Sequence, residues 1–78
     1  MKIGTRSETT LRALRSNSEG ETQDGWRVVY LDNAKASEGC ADLTPAAFRS
    51  RLSKLSALGL YRPIDGFAWG EVKMEDVI

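Results

Sequence analysis

Seventy-eight residues, 41% hydrophobic and 28% charged, suffice for one small folded domain and leave no room for a second. Eleven basic and eleven acidic residues cancel to zero net charge, which argues against bulk affinity for nucleic acid, and a single cysteine, Cys40, excludes an intrachain disulfide. No apolar run approaches a membrane span, and Met1 to Thr5 lacks a signal-peptide core, so a reducing, cytoplasmic setting without a membrane partner is expected.

The charges are blocked along the chain. Residues 1–17 carry Lys2, Arg6, Arg12 and Arg15 against Glu8, a net +3. Residues 18–42 carry six acids against Arg27 and Lys35, a net −4. Residues 43–64 hold Arg49, Arg51, Lys54 and Arg62 with no acid, and 65–78 return to −3. An acid-free basic block points toward an anionic partner; equally, blocks of opposite sign can satisfy each other across the fold.

Taken in chain order, residues 5–17 fit two elements. Ser7 can cap a helix that carries Leu11 and Leu14 at i, i+3 and ends near Asn17, and the same letters alternate weakly as an edge strand. Residues 18–25, with three acids, two glycines and no apolar side chain, read as a mobile polar loop within a single domain spanning 1–78. Residues 26–31 (Trp-Arg-Val-Val-Tyr-Leu) form the best strand pattern, apolar on both faces and therefore central in its sheet. The small, polar stretch from Ala34 to Asp42 encodes at most one or two helical turns.

The segment 44–58 has the clearest helix signals. Thr44 is a favoured N-cap, and Pro45 stands at the first helical position, where its missing N–H costs nothing. Phe48, Leu52 and Leu55 repeat at i, i+4, i+7, and Gly59 supplies the stop. The opposite face holds Ala46, Ser50, Ser53 and Ala57, bordered by Arg49 and Lys54; its small residues permit close approach to the backbone.

Residues 60–74 read as a hairpin about Asp65-Gly66. A tight turn there opposes Ile64 to Phe67, Pro63 to Ala68, Arg62 to Trp69 and Tyr61 to Gly70. Arg62 then stacks on Trp69, worth about 0.5–1 kcal/mol, and Tyr61 covers the bare Gly70 backbone. A bulge at Gly70 is the alternative, turning Val72 and Met74 onto the face of Phe67 and Trp69. Together these elements predict an α+β fold, with the long helix packed on a small three-stranded antiparallel sheet.

The chain has no histidine, no CxxC, no GxGxxG and no phosphate-binding loop. Its paired carboxylates, Glu19/Glu21 and Glu75-Asp76, lie in polar stretches with no apolar pocket to raise a pKa. A non-enzymatic protein without cofactor or metal is expected. The run from Leu43 to Arg62, followed by the hairpin to Met74, resembles the recognition helix and first wing of winged helix-turn-helix regulators. The resemblance covers about two-fifths of the chain. It implies a winged-helix-like C-terminal half that binds duplex DNA, with Arg49, Ser50, Ser53 and Lys54 meeting bases or phosphates and Arg62 reaching phosphate from the wing.

A second expectation comes from the aromatic content. Trp26, Tyr30, Tyr61, Phe67 and Trp69 form a large set for so small a core. An uncovered sheet face bearing Tyr30, Tyr61, Phe67 and Trp69 would bind a protein or a second copy of the chain. Such an interaction module, like the small accessory proteins of phages and mobile elements, is placed slightly ahead of the DNA reading. Zero net charge, the acidic wing and the weakly encoded first helix of a helix-turn-helix decide that order.

Overall fold

The computed structural model describes residues 4–21, 23–65 and 68–75. The chain runs α1 (Thr5–Ser16), β1 (Ser18–Glu21), a 3-10 turn (Gln23–Gly25), β2 (Trp26–Tyr30), α2 (Leu31–Ala36), α3 (Pro45–Ala57), β3 (Tyr61–Asp65) and β4 (Trp69–Lys73). The fold is α+β, with a fully antiparallel sheet of order β1-β2-β4-β3. The sheet has four strands rather than three. The added strand comes from the segment read as a polar loop: Ser18 and Glu19 pair with Val29 and Val28, and a bulge separates Glu19 from Glu21. Backbone pairing to an existing strand needs no apolar side chain, so hydrophobic patterning gives no sign of it. Among the described residues no helix is long and apolar enough to cross a membrane.

The ambiguous N-terminal segment is helical. Gly4 precedes α1, Asn17 ends it by donating to the Ala13 carbonyl from both backbone and side chain, and Ser7, Thr10, Leu11, Ala13 and Leu14 are buried along one stripe. Thr10 returns its hydroxyl to the Arg6 carbonyl, so its burial leaves no unpaired donor. α2 begins at Leu31, three residues before the small polar stretch, because Leu31 and Ala34 supply its buried side.

α3 forms as its signals predict. The Thr44 hydroxyl accepts from the Ala47 N–H at 3.1 Å, and Gly59 takes φ +78° beyond the Leu58 cap. Leu60 N–H then bonds the Leu55 carbonyl and Gly59 N–H that of Ser56, both at 3.0 Å. These two bonds satisfy the last carbonyls of the helix and bring Leu60 onto Leu55, both fully buried.

All three helices lie against one face of the sheet. The core joins Leu11 and Leu14 of α1, Phe48, Leu52 and Leu55 of α3, Cys40 from the loop between α2 and α3, and Val29, Tyr61 and Val72 of the sheet. Side chains alternate along a strand, so Trp26, Val28 and Tyr30 of β2 and Trp69, Glu71 and Lys73 of β4 point to the outer face.

The register of the β3–β4 hairpin departs from a tight Asp65-Gly66 turn. Tyr61 opposes Val72, Arg62 opposes Glu71 and Pro63 opposes Gly70, a slip of two residues, with a shift between Pro63 and Asp65. Gly66 and Phe67 lie outside the described residues. The irregularity falls in β3, next to Pro63, which has no N–H to give to a ladder, and not at Gly70. Tyr61 still covers Gly70, reaching along its own face: a Cβ on Gly70 would stand 2.6 Å from the Tyr61 hydroxyl oxygen and 2.8 Å from Cζ.

Candidate functional sites

Two surfaces carry the residues singled out from the sequence. On α3, the core side is fixed by Phe48, Leu52 and Leu55, and the helical repeat sends Arg49, Ser50, Ser53 and Lys54 the other way. All four are exposed, so the structure brings them onto one face, together with Ala46 and Ala57. Arg51, one residue away in sequence, instead turns back to α1. It donates to the Arg6 carbonyl at 3.3 Å and to the Thr10 hydroxyl at 3.5 Å. The cations of α3 are thus divided between a brace and a surface, and the surface takes Arg49 and Lys54.

Arg62 stands apart from that face. The two-residue slip sets it opposite Glu71, with Nε 2.9 Å from the carboxylate, and its guanidinium lies 4.1 Å from the centre of the Trp26 ring. Stacking on Trp69, expected from a tight turn, is replaced by stacking on Trp26. The cause is register alone. Lys73, directly across from Trp26, places its ammonium 5.3 Å from the same ring and donates to the Asp24 carbonyl.

The outer sheet face therefore contains an aromatic group with intramolecular contacts. Trp26 is only 9% exposed under Arg62 and Lys73. Tyr30 and Trp69, opposite each other across β2 and β4, are half-buried with ring centres 4.9 Å apart and tilted by 57°. Ile64, at 50%, is the large hydrophobic side chain left exposed among the described residues. Tyr61 lies on the opposite face, 5% exposed and within the core, where burial raises its phenol pKa above the usual value of 10.0. The structure joins Tyr30 to Trp69 and separates both from Tyr61; Phe67 lies outside the described residues.

Neither sheet edge invites strand addition. β1 is four residues long with Glu19 on it and a bulge, and β3 carries Pro63 at its middle. Short, charged and proline-bearing edges resist pairing with another chain. A third feature is a concavity. Between α2, α3 and β3 lies a groove of about 500 Å³, floored by Leu31, Phe48, Leu52 and Tyr61, with Asp32, Lys35 and Arg49 at its rim. Its walls come from three consecutive elements, and it opens only where their packing leaves a gap, so no local pattern announces it.

With this geometry established, comparison with known proteins adds no assignment: no family model, curated protein or solved structure matches the chain.

Proposed function

We propose that the chain is a winged-helix-like DNA-binding module that meets duplex DNA with the exposed face of α3. The observation that carries this reading is the surface of Arg49, Ser50, Ser53 and Lys54, exposed together on a helix inside a 22-residue stretch, 43–64, that holds no acid. Small residues at its centre admit a groove edge, and cations at its borders match phosphates. The order of elements supports the same reading. α1 and α2 supply the two helices that the resemblance to winged helix-turn-helix regulators asks for ahead of a recognition helix, and β3–β4 supplies the hairpin behind it. A six-residue helix, α2, precedes α3 in the chain, which supports the reading. Arg62 is left out of the interface, since Glu71 and Trp26 already engage it.

Fluorescence anisotropy with a labelled duplex, repeated over a series of salt concentrations, tests the proposal. Affinity should fall steeply with salt, because neutralised phosphates release counterions. Arg49→Ala with Lys54→Ala should reduce the slope by about 2 while leaving the thermal midpoint nearly unchanged. Arg62→Ala should leave the affinity close to that of the parent. Absence of binding at low salt and high protein concentration would remove the DNA reading.

A second reading, association of two copies through the outer sheet face, rests on the Tyr30–Trp69 pair and exposed Ile64, which none of the described helices covers. That face presents both signs, Arg62 and Lys73 beside Glu71, so it is suited to a copy of itself. Sedimentation equilibrium checks this: Trp69→Ala should weaken any dimer, and a monomer at every concentration would dismiss it. It stands second because Trp26 is already occupied and Tyr61 is on the other face.

A further inference from the structure

We infer that the groove between α2, α3 and β3 binds a neutral small molecule, an apolar body of ring size with a carbonyl that accepts from the Tyr61 hydroxyl. The groove encloses about 500 Å³, within the range of small-molecule sites, which join an apolar lining to a few placed polar groups. Leu31, Phe48, Leu52 and Tyr61 form its floor, each nearly buried yet contributing to the groove wall. Pro45 and Pro63, the two prolines of the chain, stand in its walls at the start of α3 and the middle of β3. Proline has no N–H, so the walls offer no backbone donor at these points. The Ser53 and Ser56 hydroxyls lie at the mouth, exposed to water. The placed donor comes from the floor.

Tyr61 is 5% exposed, yet its hydroxyl has no hydrogen-bond partner among the described residues. The ring runs along the inner face to Gly70, which is paired with Pro63 in the groove wall, so its hydroxyl end is directed toward the cavity. Arg27 Nε is the one sealed and unpaired side-chain polar atom among the described residues, so the Tyr61 oxygen still reaches open space. Burial raises the phenol pKa, which keeps the group a neutral donor. A nearly buried donor without an acceptor is the demand that a ligand carbonyl meets. The rim, by contrast, favours no ion. Lys35 and Asp32 both rise from α2 and cancel, and Arg49 is already engaged within the chain. An ion of either sign would lose hydration over the apolar floor with no free counter-charge to replace it, whereas a neutral molecule loses little. The inference does not rest on the DNA reading, because its test contains no DNA.

The test titrates the isotope-labelled full chain with benzylacetone, a neutral ketone, and separately with phenylbutyrate, a carboxylate on a similar body, followed by amide chemical shifts. The ketone should give saturable shifts at residues 31–35, 48–56 and 61–63, and should bind several-fold more tightly than the acid. Tyr61→Phe keeps the ring over Gly70 and removes only the hydroxyl. It should weaken the ketone by about three- to tenfold, the scale of one neutral hydrogen bond, with the thermal midpoint at neutral pH unchanged. Ser53→Phe, which places a ring at the groove mouth, should abolish ketone binding while preserving the rest of the spectrum. Any of five results would overturn the inference: no saturable shift with the ketone, acid binding as tight as ketone binding, undiminished ketone affinity in Tyr61→Phe, shifts centred on Tyr30 and Trp69, or undiminished binding by a folded Ser53→Phe variant.

Discussion

The exposed face of α3 and the outer face of the sheet differ in how far their side chains reach solvent. The sheet face has the larger apolar groups, but its chief aromatic, Trp26, lies under Arg62 and Lys73, and Tyr30 and Trp69 pack on each other. The α3 face has small and basic side chains, all exposed, with the brace to α1 assigned to Arg51. Composition favours the sheet as an interaction surface; accessibility favours the helix. Residue type states what a surface could bind, and intramolecular contacts decide how much of it is available.

Each face depends on the side chains packed behind it. Leu55→Ala should cost about 2–5 kcal/mol, because a fully buried leucine on the core side of α3 leaves a cavity when truncated. Ser53→Ala, on the opposite side of the same helix, should stay within about 0.5 kcal/mol. Urea melts of the two variants check the assignment of faces, and a reversed order would overturn it.

Next in size is Gly70→Ala, expected to cost about 1–3 kcal/mol through overpacking, since the new methyl would meet the Tyr61 ring. Pairing it with Tyr61→Leu, which withdraws the ring edge, should recover part of the loss. Additive losses would show that Tyr61 and Gly70 do not share a contact on the inner face.

Arg62→Ala should act on the outer face by about 1 kcal/mol or less, the scale of an exposed ion pair and an exposed cation–π contact. Its clearer signature is spectroscopic: uncovered Trp26 should shift its emission to the red. Unchanged emission would separate Arg62 from Trp26 and reopen the wing as a phosphate contact.

The smallest effect concerns pH. Burial raises the Tyr61 pKa, so the folded chain holds that proton more tightly than the unfolded chain does. The resulting stability is fully present below the ordinary tyrosine value of 10.0 and is lost as pH rises through the higher folded value. Tyr61→Phe should therefore flatten the alkaline part of a stability profile and leave the neutral part unchanged. An unaltered alkaline slope would place the phenol in water rather than in the core.

Local rules made some elements legible and left others hidden. α3 could be read to within a residue because its cap, its proline, its apolar spacing and its glycine stop all act within the helix or one turn beyond it. β2 was legible from its aromatic and β-branched density. β1 was not, because Ser-Glu-Gly-Glu forms a strand only by bonding to β2. The N-terminal helix could not be separated from a strand by its own letters; packing of Leu11 and Leu14 into the shared core settled it.

The candidate site divides in the same way. That Arg49, Ser50, Ser53 and Lys54 share one face follows from helical geometry once Phe48, Leu52 and Leu55 are assigned to the core. That Arg51 is a brace, that Arg62 belongs to Trp26 and Glu71, and that Tyr61 faces the helices all depend on strand register and on where α1 lies. The groove likewise exists only where α2, α3 and β3 converge. Periodicity and bonds spanning a few residues set the helix, the central strand and the charge of the helix surface, and these are written locally in the chain. The tertiary structure alone decided which cations are exposed, which aromatics are covered and where a cavity opens, because a two-residue slip at β3 or a strand added at β1 changes long-range neighbours without changing any local pattern.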